Sequence, residues 1–531
     1  MKIERTRNAT RNIIFLTIQR IYQIIVPFFM RTAMIYFMGV KYLGLSSLFS
    51  SILQVLNMAE LGVGSAMVYS MYRPIAEDDT EKICALMRLY KIYYRIIGAI
   101  IGCVGVCLMP FIPKLINGDL PGELNIYVLY LLNLGTTVLS YWLFAYKNCL
   151  LNAHQRNDIL SKISFVTTSI QYGIQLLIII YLKDYYIYLI VALVTQVLTN
   201  LVTAIVVTRL FPHYRAIGRL DDKFRKEINR RIRDLFTSKI GAIVVNSADT
   251  IVISSFLGLT VLAIYQNYYY ILNSIVAFVG IVFTACTAGI GNSLVVESKE
   301  KNFRDFNKFT FIIAWMAGFC TVCLLCLYQP FMDIWVGKDL ELKIGAVICF
   351  CIYYFIYEIN QLLNMYKDAA GIWHEDRFRP LVTAGLNLAL NLIMVQYWGI
   401  YGVLLSTVIS MLVVGMPWII HNLFSTIFER KYLKKYVKKL ILYIFVTGIA
   451  AISTYLLCSC FTFGIFGTFF VRAFICCIVP NFLFFVVYVR LAEFREVLFL
   501  LNRMTKGKIP FLKKALDKNK KTSYDEKSII N

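Results

Sequence analysis

Histidine is scarce in this chain, with four among 531 residues. His154, His213, His374 and His421 fall in basic loops or at the helix ends beside them. That disfavours an intramembrane acyltransferase or protease built on a histidine acid–base. No GxxxxGK[ST] occurs, so there is no phosphate-cradling loop of an ATPase, and HExxH and GxSxG are absent too. Charge is also low, 16% of residues, and the longest polar stretches are the segment around 211–234 and the tail from about 491. Neither holds a soluble domain that could use the excess of 54 basic over 31 acidic residues on nucleic acid. A disulfide framework is missing as well. Most of the 14 cysteines lie in apolar helices, where a thiol behaves as a small hydrophobe. Cys320, Cys323 and Cys326 repeat in FCTVCLLCLY with no histidine nearby, which reads as core packing and not as a metal centre. Cys458 and Cys460, two places apart on one helix, make no bridge. No metal and no cofactor is expected.

What the chain has in quantity is apolar sequence, 59% of residues. It falls into runs of about 20 residues, the length that crosses roughly 30 Å of hydrocarbon as a helix. Fourteen runs are legible, at about 13–38, 43–71, 92–112, 124–149, 159–182, 186–210, 235–257, 261–294, 308–336, 343–366, 380–397, 401–424, 438–460 and 464–489. The expected class is all-α integral membrane. Of the 54 Lys and Arg residues, 44 lie at the N-terminus, in every second loop and in the tail, while the alternate loops hold only Lys41, Lys114, Lys183, Lys338 and Lys343. Basic loops stay on the cytoplasmic side and meet an anionic leaflet, so both termini are expected in the cytoplasm. The opening MKIERTRNATRN leads into a full span with no small-residue cleavage site, which reads as a retained first helix.

The first and seventh runs align at a constant offset of 219. Arg20 falls on Lys239, Ile24 on Ile243, Phe37 on Phe256, Gly39 on Gly258 and Leu43 on Leu262. This suggests two pseudo-symmetric six-helix lobes, 1–210 and 235–424, joined by a basic cytoplasmic linker at 211–234. Two further helices at 425–490 and a basic cytoplasmic tail at 491–531 complete the expected organisation. Repeated halves are a common architecture of secondary transporters, whose substrate site lies between them.

The stretch YFMGVKYLGLSSLFSSILQVLNMAELGVGSAMVYSMYRPIAEDD resembles the second-helix region of bacterial capsule and O-antigen repeat-unit flippases, often called Wzx. So does DAAGIWHEDRFRPLVTAGLNLALNLIMVQYWGIYGVLLSTVIS, Asp368 to Ser410. These flippases belong to the multidrug/oligosaccharidyl-lipid/polysaccharide exporter superfamily, and the helix number and two-lobed division agree over nearly the whole chain. The motifs are diffuse and indicate family better than substrate. The resemblance implies alternation between inward- and outward-open V shapes.

Polar groups inside the runs call for a reason, since a charge at mid-membrane costs about 2.5–3.5 kcal/mol on insertion scales. The first run carries Arg20, Gln23, Pro27 and Arg31 on one face. The second carries Gln54, Asn57 and Glu60, the seventh Lys239, Asn246, Asp249 and Thr250, and the tenth Glu358, Gln361 and Asn364. One reading is a cationic, water-filled cavity in which Arg20, Arg31 and Lys239 hold a pyrophosphate through charge-assisted hydrogen bonds. The other has these side chains snorkelling to the interfaces. Gln23, Asn57, Asn246, Gln266, Tyr269 and Asn273 are the candidate glycan contacts, although the tyrosines of IYQNYYYILNS also suit an interfacial belt. Glu60, Asp249 and Glu358 either pair with cavity cations or bind H⁺ or Na⁺ and couple transport to its gradient. Gly98 and Gly102 form a GxxxG that suits close helix packing.

The expected function is therefore that of a non-enzymatic flippase. It would carry an undecaprenyl-diphosphate-linked oligosaccharide repeat unit across the bacterial cytoplasmic membrane by alternating access, for capsule, O-antigen or exopolysaccharide synthesis. A monomer is expected, with a polysaccharide polymerase and a chain-length regulator as pathway partners. The alternatives within the superfamily are an ion-coupled multidrug antiporter and a lipid II flippase. A polymerase would bring a large external loop, and the longest here is about a dozen residues, around Pro113 to Glu123.

Overall fold

A computed structural model describes residues 5–504 apart from 119, 122, 123 and 462. Within that range the side chains of 5–18, 20, 234, 238, 239, 242, 246, 285, 288, 501, 503 and 504 lie outside the description. The described residues contain no strand. Their α-helices are α1 (Arg5–Phe37), α2 (Val40–Leu56), α3 (Val63–Ala76), α4 (Thr80–Leu108), α5 (Ile126–Trp142), α6 (Asn148–Ala153), α7 (Asn157–Leu177), α8 (Tyr185–Leu210) and α9 (Asp222–Leu257). They continue as α10 (Leu259–Val296), α11 (Lys299–Val336), α12 (Ile344–Ala370), α13 (Arg379–Trp398), α14 (Ile400–Ser410), α15 (Met416–Thr426), α16 (Leu433–Ser459), α17 (Ile465–Tyr488) and α18 (Ala492–Met504).

The protein has an all-α integral membrane fold. Among the described residues, eleven helical segments are long and apolar enough to cross a membrane, and α5 with its continuation to Ala153, bent by 47°, makes a twelfth. Two shorter apolar stretches, Ile21–Phe37 and Ile243–Leu257, complete the correspondence with the fourteen runs. Each is the C-terminal part of a longer helix, α1 of 33 and α9 of 36 residues, whose N-terminal part is basic, with Arg in α1 and with Arg and Lys in α9.

Caps fix several helix starts. The Asp79 carboxylate accepts from Lys82 N, Asn125 Oδ1 from Tyr127 N, Asp184 Oδ1 from Tyr186 N and Ser298 Oγ from Lys301 N, each satisfying a first-turn donor. The turn that the internal repeat singled out recurs. Gly39 N donates to Met34 O at 2.9 Å and Gly258 N to Ile253 O at 3.1 Å, and both glycines have positive φ (+113° and +88°). Residues 211–221 are a loop laid on α4, where Arg88 Nη1 donates to Gly218 O at 2.9 Å. From Asp222 onward the basic segment is helical and continuous with the seventh span in α9.

The contacts divide the chain into two compact units. The first comprises residues up to 267 together with 380–406, and the second residues 268–379 together with 407 onward. In the first, α1 packs on α7, α2 on α9, α4 on α5, and α5 on α8. The α9 face at Gly241 is so close to α13 that a Cβ there would meet Pro380 O at 2.4 Å. Gly98 likewise admits the Trp142 indole between α4 and α5, whose Nε1 donates to Arg95 O. In the second unit, α11 packs against α12, α16, α17 and α18. Phe303, Phe306, Phe424, Phe428, Tyr366 and Tyr436 form one aromatic cluster. The helix α18 is held by the Trp315–Phe494 stack, a Lys439–Glu493 ion pair and Arg304–Glu496 at 3.8 Å. Phe29, Ile96 and Ile100 of the first unit and Phe445, Phe474 and Phe482 of the second are exposed, as side chains facing hydrocarbon are.

Candidate functional site

The first unit holds a polar, aromatic cavity built where a helix breaks. The helix α2 ends at Leu56, a 3₁₀ turn covers Asn57–Glu60, and Gly62, with φ +85°, lets the chain restart as α3. A Cβ on Gly62 would lie 2.6 Å from Leu235 Cβ, so glycine also lets the break pack against α9. The break turns Glu60 toward α4, where Tyr94 Oη donates to its Oε1 at 3.2 Å and Tyr90 Oη donates to Tyr94 Oη. Beside them Tyr141 Oη donates to Asn57 Oδ1 at 3.1 Å, with the Tyr94 and Tyr141 rings edge to face at 5.4 Å. The cavity has a volume of about 640 Å³. Glu60, Tyr69, Tyr72, Tyr90 and Tyr94 line it, with Asn148 and Asn152 of α6 and Asn157 of α7. The Arg231 guanidinium of α9 stacks over Tyr69, 4.5 Å from the ring centroid. Flat aromatic faces beside amide and carboxylate oxygens suit a sugar, whose rings have apolar faces and hydroxyl edges.

Elsewhere in the same unit a set of polar side chains bridges the helices. Ser247 Oγ of α9 donates to Gln54 Oε1 of α2 at 3.4 Å. Gln266 Nε2 of α10 donates to Thr250 Oγ1 at 3.0 Å, and Arg31 Nη2 of α1 donates to Asn267 Oδ1 at 3.2 Å. The most buried part centres on Asp249, whose Oδ1 accepts from Asn391 Nδ2 of α13 at 2.6 Å. Asn391 Oδ1 in turn accepts from Ser406 Oγ at 2.7 Å, and Asn387 Oδ1 lies 3.3 Å from Asn391 Nδ2. Asn387, Asn391 and Ser406 are fully buried. One carboxylate among amide and hydroxyl oxygens is a donor set for a hard cation or a proton.

Of the residues expected from the sequence, Asn57 and Glu60 meet at the cavity through Tyr94 and Tyr141. Arg31, Asp249 and Gln266 join the bridging set. Gln23 and Asn273 are exposed and Tyr269 is half-buried. The side chains of Arg20, Lys239 and Asn246 lie outside the described residues. Glu358 belongs to the second unit, fully buried on α12 with neither carboxyl oxygen hydrogen-bonded among the described residues.

Sequence reasoning missed Asn387, Asn391 and Ser406, and the cavity residues Tyr69, Tyr90, Tyr94, Asn148, Asn152 and Asn157. The pair Asn387 and Asn391 had a signal: two amides four residues apart in the apolar run GLNLALNLIM share one helix face. The cysteines, read as separate core residues, gather in part: the Sγ atoms of Cys326, Cys458 and Cys476 all lie within 4.8 Å of one another.

No family model and no curated relative matches the sequence. Among solved structures, the fold is similar to the lipid II flippase MurJ in an inward closed conformation, with a TM-score of 0.62 and 16% identity over 90% of this chain and 99% of that one. It is similar to a multidrug resistance MATE family transporter of the MOP superfamily in its inward-facing conformation, with a TM-score of 0.58 and 17% identity over 79% of this chain and 99% of that one. A mutant form of the Vibrio cholerae MATE transporter VcmN gives a TM-score of 0.54 and 13% identity over 79% of this chain and 97% of that one. At such identities the likeness is one of fold alone: this chain shares the fold of these solved proteins.

Proposed function

We propose that this protein is a flippase for an undecaprenyl-diphosphate-linked oligosaccharide repeat unit, serving capsule, O-antigen or exopolysaccharide synthesis by alternating access. The observation that carries the reading is the cavity of about 640 Å³, lined by four tyrosines, three asparagines and Glu60. Its size is within the usual range of about 300–1,000 Å³ for small-ligand sites. Its surface offers stacking faces and hydrogen-bond groups in place of the greasy lining that a hydrophobic drug would select. In this reading the glycan docks against Tyr90, Tyr94 and the asparagines, and Arg20, Arg31 and Lys239 serve the pyrophosphate. Asp249, with Asn387, Asn391 and Ser406 around it, binds the coupling H⁺ or Na⁺. Transport breaks and forms no covalent bond, so no catalytic residue is assigned. The distribution of basic loops supports a cytoplasmic-membrane location with both termini inside. A polymerase and a chain-length regulator would take over the exposed repeat unit.

The test labels lipid-linked repeat units in cells and probes them with an external glycosidase that cannot cross the membrane. Wild type exposes the glycan, and deletion keeps it protected. Arg31→Ala lowers exposure with normal membrane insertion, and Arg31→Lys restores it only in part, because an ammonium lacks the guanidinium fork. Equal exposure in wild-type and deletion strains overturns the proposal.

A second reading, a lipid II flippase, is favoured by the likeness to MurJ over 90% of this chain. Rescue of cells depleted of their peptidoglycan flippase, with surface polysaccharide indifferent to deletion, would select it.

A further inference from the structure

Cys326 on α11, Cys458 on α16 and Cys476 on α17 come from three different helices of the second unit to one point, and all three are buried. Their Sγ atoms lie within 4.8 Å of one another. Around a metal with M–S bonds of about 2.3 Å, trigonal or tetrahedral sulfurs are roughly 4 Å apart, so shifts below about 1 Å would close the set. Cys323, one turn earlier on α11, lies within side-chain reach of Cys476. Arg472, one turn before Cys476 on α17, acts electrostatically on both Cys458 and Cys476. Its Nε is buried with no hydrogen-bond partner among the described residues.

We propose that Cys326, Cys458 and Cys476 form a binding site for a thiophilic divalent cation of the zinc class, with Cys323 beside it and Arg472 as counter-charge. Three thiols release three protons on binding. The resulting three thiolates around a divalent cation carry one net negative charge, which the guanidinium cancels. That neutrality selects a divalent over a monovalent soft cation here, because a net charge in a low-dielectric helix bundle is costly. The donor set is soft, which disfavours Mg²⁺ and Ca²⁺. Cys458 is the next-to-last residue of α16 and Cys460 just beyond it is exposed, so the ion has a short path from the helix end. Occupied, the site clips α16 and α17 to α11, and its binding energy becomes folding energy of this unit. The proposal does not depend on the flippase reading.

The test uses the full chain in detergent, purified without a histidine tag and reduced with a phosphine. Cadmium(II) chloride is the spectroscopic probe, with zinc(II) and buffered copper(I) as competitors. One equivalent of cadmium is expected to give a thiolate-to-metal charge-transfer band and to raise Tm. Zinc should displace it and copper(I) should do so less well. Cys326→Ser, Cys458→Ser and Cys476→Ser each weaken binding at least tenfold, and Cys103→Ser, an exposed position, does not. Maleimide labelling of the wild type is the check that needs no variant: loading should slow the labelling of Cys326, Cys458 and Cys476 relative to that of Cys460, exposed beyond the end of α16. No band at one equivalent, preferred binding of copper(I), unchanged labelling, or a band that survives in the triple serine variant overturns the proposal.

Discussion

Asp249 on α9 accepts a 2.6 Å hydrogen bond from the Asn391 amide on α13, with both side chains buried in the first unit. A hydrogen bond to a charged group contributes about 1.5–3 kcal/mol, and removing one partner leaves the other desolvated and unsatisfied. Asn391→Leu is therefore expected to cost about 2–3 kcal/mol, read as a lower midpoint of thermal unfolding in detergent. Asp249→Asn is milder for stability, since the amide oxygen can still accept from Asn391. Its expected effect is on coupling: glycan exposure in vesicles should stop responding to an imposed Na⁺ or pH gradient. An undiminished response in Asp249→Asn would remove Asp249 from the coupling role.

Gly64 shapes the cavity beside Glu60 from the first turn of α3. A Cβ there would lie 3.0 Å from Glu60 Oε1 and 3.1 Å from Tyr90 Oη, so any longer side chain must enter the cavity. Gly64→Leu is expected to lower glycan exposure at least tenfold, which is about 1.4 kcal/mol of binding or barrier, while membrane insertion stays normal. Tyr94→Phe removes only the hydroxyl that donates to Glu60 and should fall between Gly64→Leu and wild type. Full exposure in Gly64→Leu would show that the glycan passes elsewhere.

How far the sequence was legible depended on whether a signal is local. Helix number and position followed from apolar length, and the repeat at offset 219 picked out Gly39 and Gly258, which share the same backbone hydrogen bond five residues back. A turn is set by a few neighbouring residues, so it can be read from them. The surroundings of Asp249 were not legible, because Asn391, which bonds to it, and Ser406, which bonds to Asn391, come from helices more than 140 positions away along the chain. The tyrosines of the cavity were hidden for a different reason. Tyr90 and Tyr94 carry no signal of their own in the sequence, because what gathers them into a cavity is the break after α2 at Asn57–Glu60. Glu358 was legible as an anomaly, but not its isolation among Tyr354 and neighbouring apolar groups.

The two repeat glycines should not respond alike to substitution. Both have a backbone that an L side chain enters only under strain, of order 1–3 kcal/mol. A Cβ on Gly39 meets nothing within 4 Å, whereas one on Gly258 would lie 2.7 Å from the backbone oxygen of Asn117. Gly258→Ala is therefore expected to destabilise more than Gly39→Ala, by about 1 kcal/mol or more in thermal unfolding, because the Asn117 carbonyl must move as well. Equal losses in the two variants would mean that the 117 loop yields freely.

His154 closes α6 under the 211–214 loop, and its protonation should govern how firmly that loop is docked. Its ring is buried, Nδ1 meets Leu150 O at 2.8 Å, and the tilted rings of Phe211 and Tyr214 pack on it at 4.5 and 5.9 Å. Burial lowers its pKa from the ordinary 6.5, and the hydrogen bond to Leu150 opposes that shift only in part. The undocked loop exposes the imidazole, so near and below pH 6.5 the open state binds more protons than the docked one. Docking is thus at full strength above that pH and weakens as the pH falls through the lowered pKa. Cys84 reports on it, since the loop covers its buried thiol through Arg215 N at 3.3 Å. His154→Phe keeps the ring packing and loses the titration. The ratio of Cys84 labelling rates, wild type over His154→Phe, is expected to be near one above neutrality and to rise on acidification. Taking the ratio cancels the thiol's own pH dependence. A ratio that stays flat would mean that the loop remains docked over a charged imidazole.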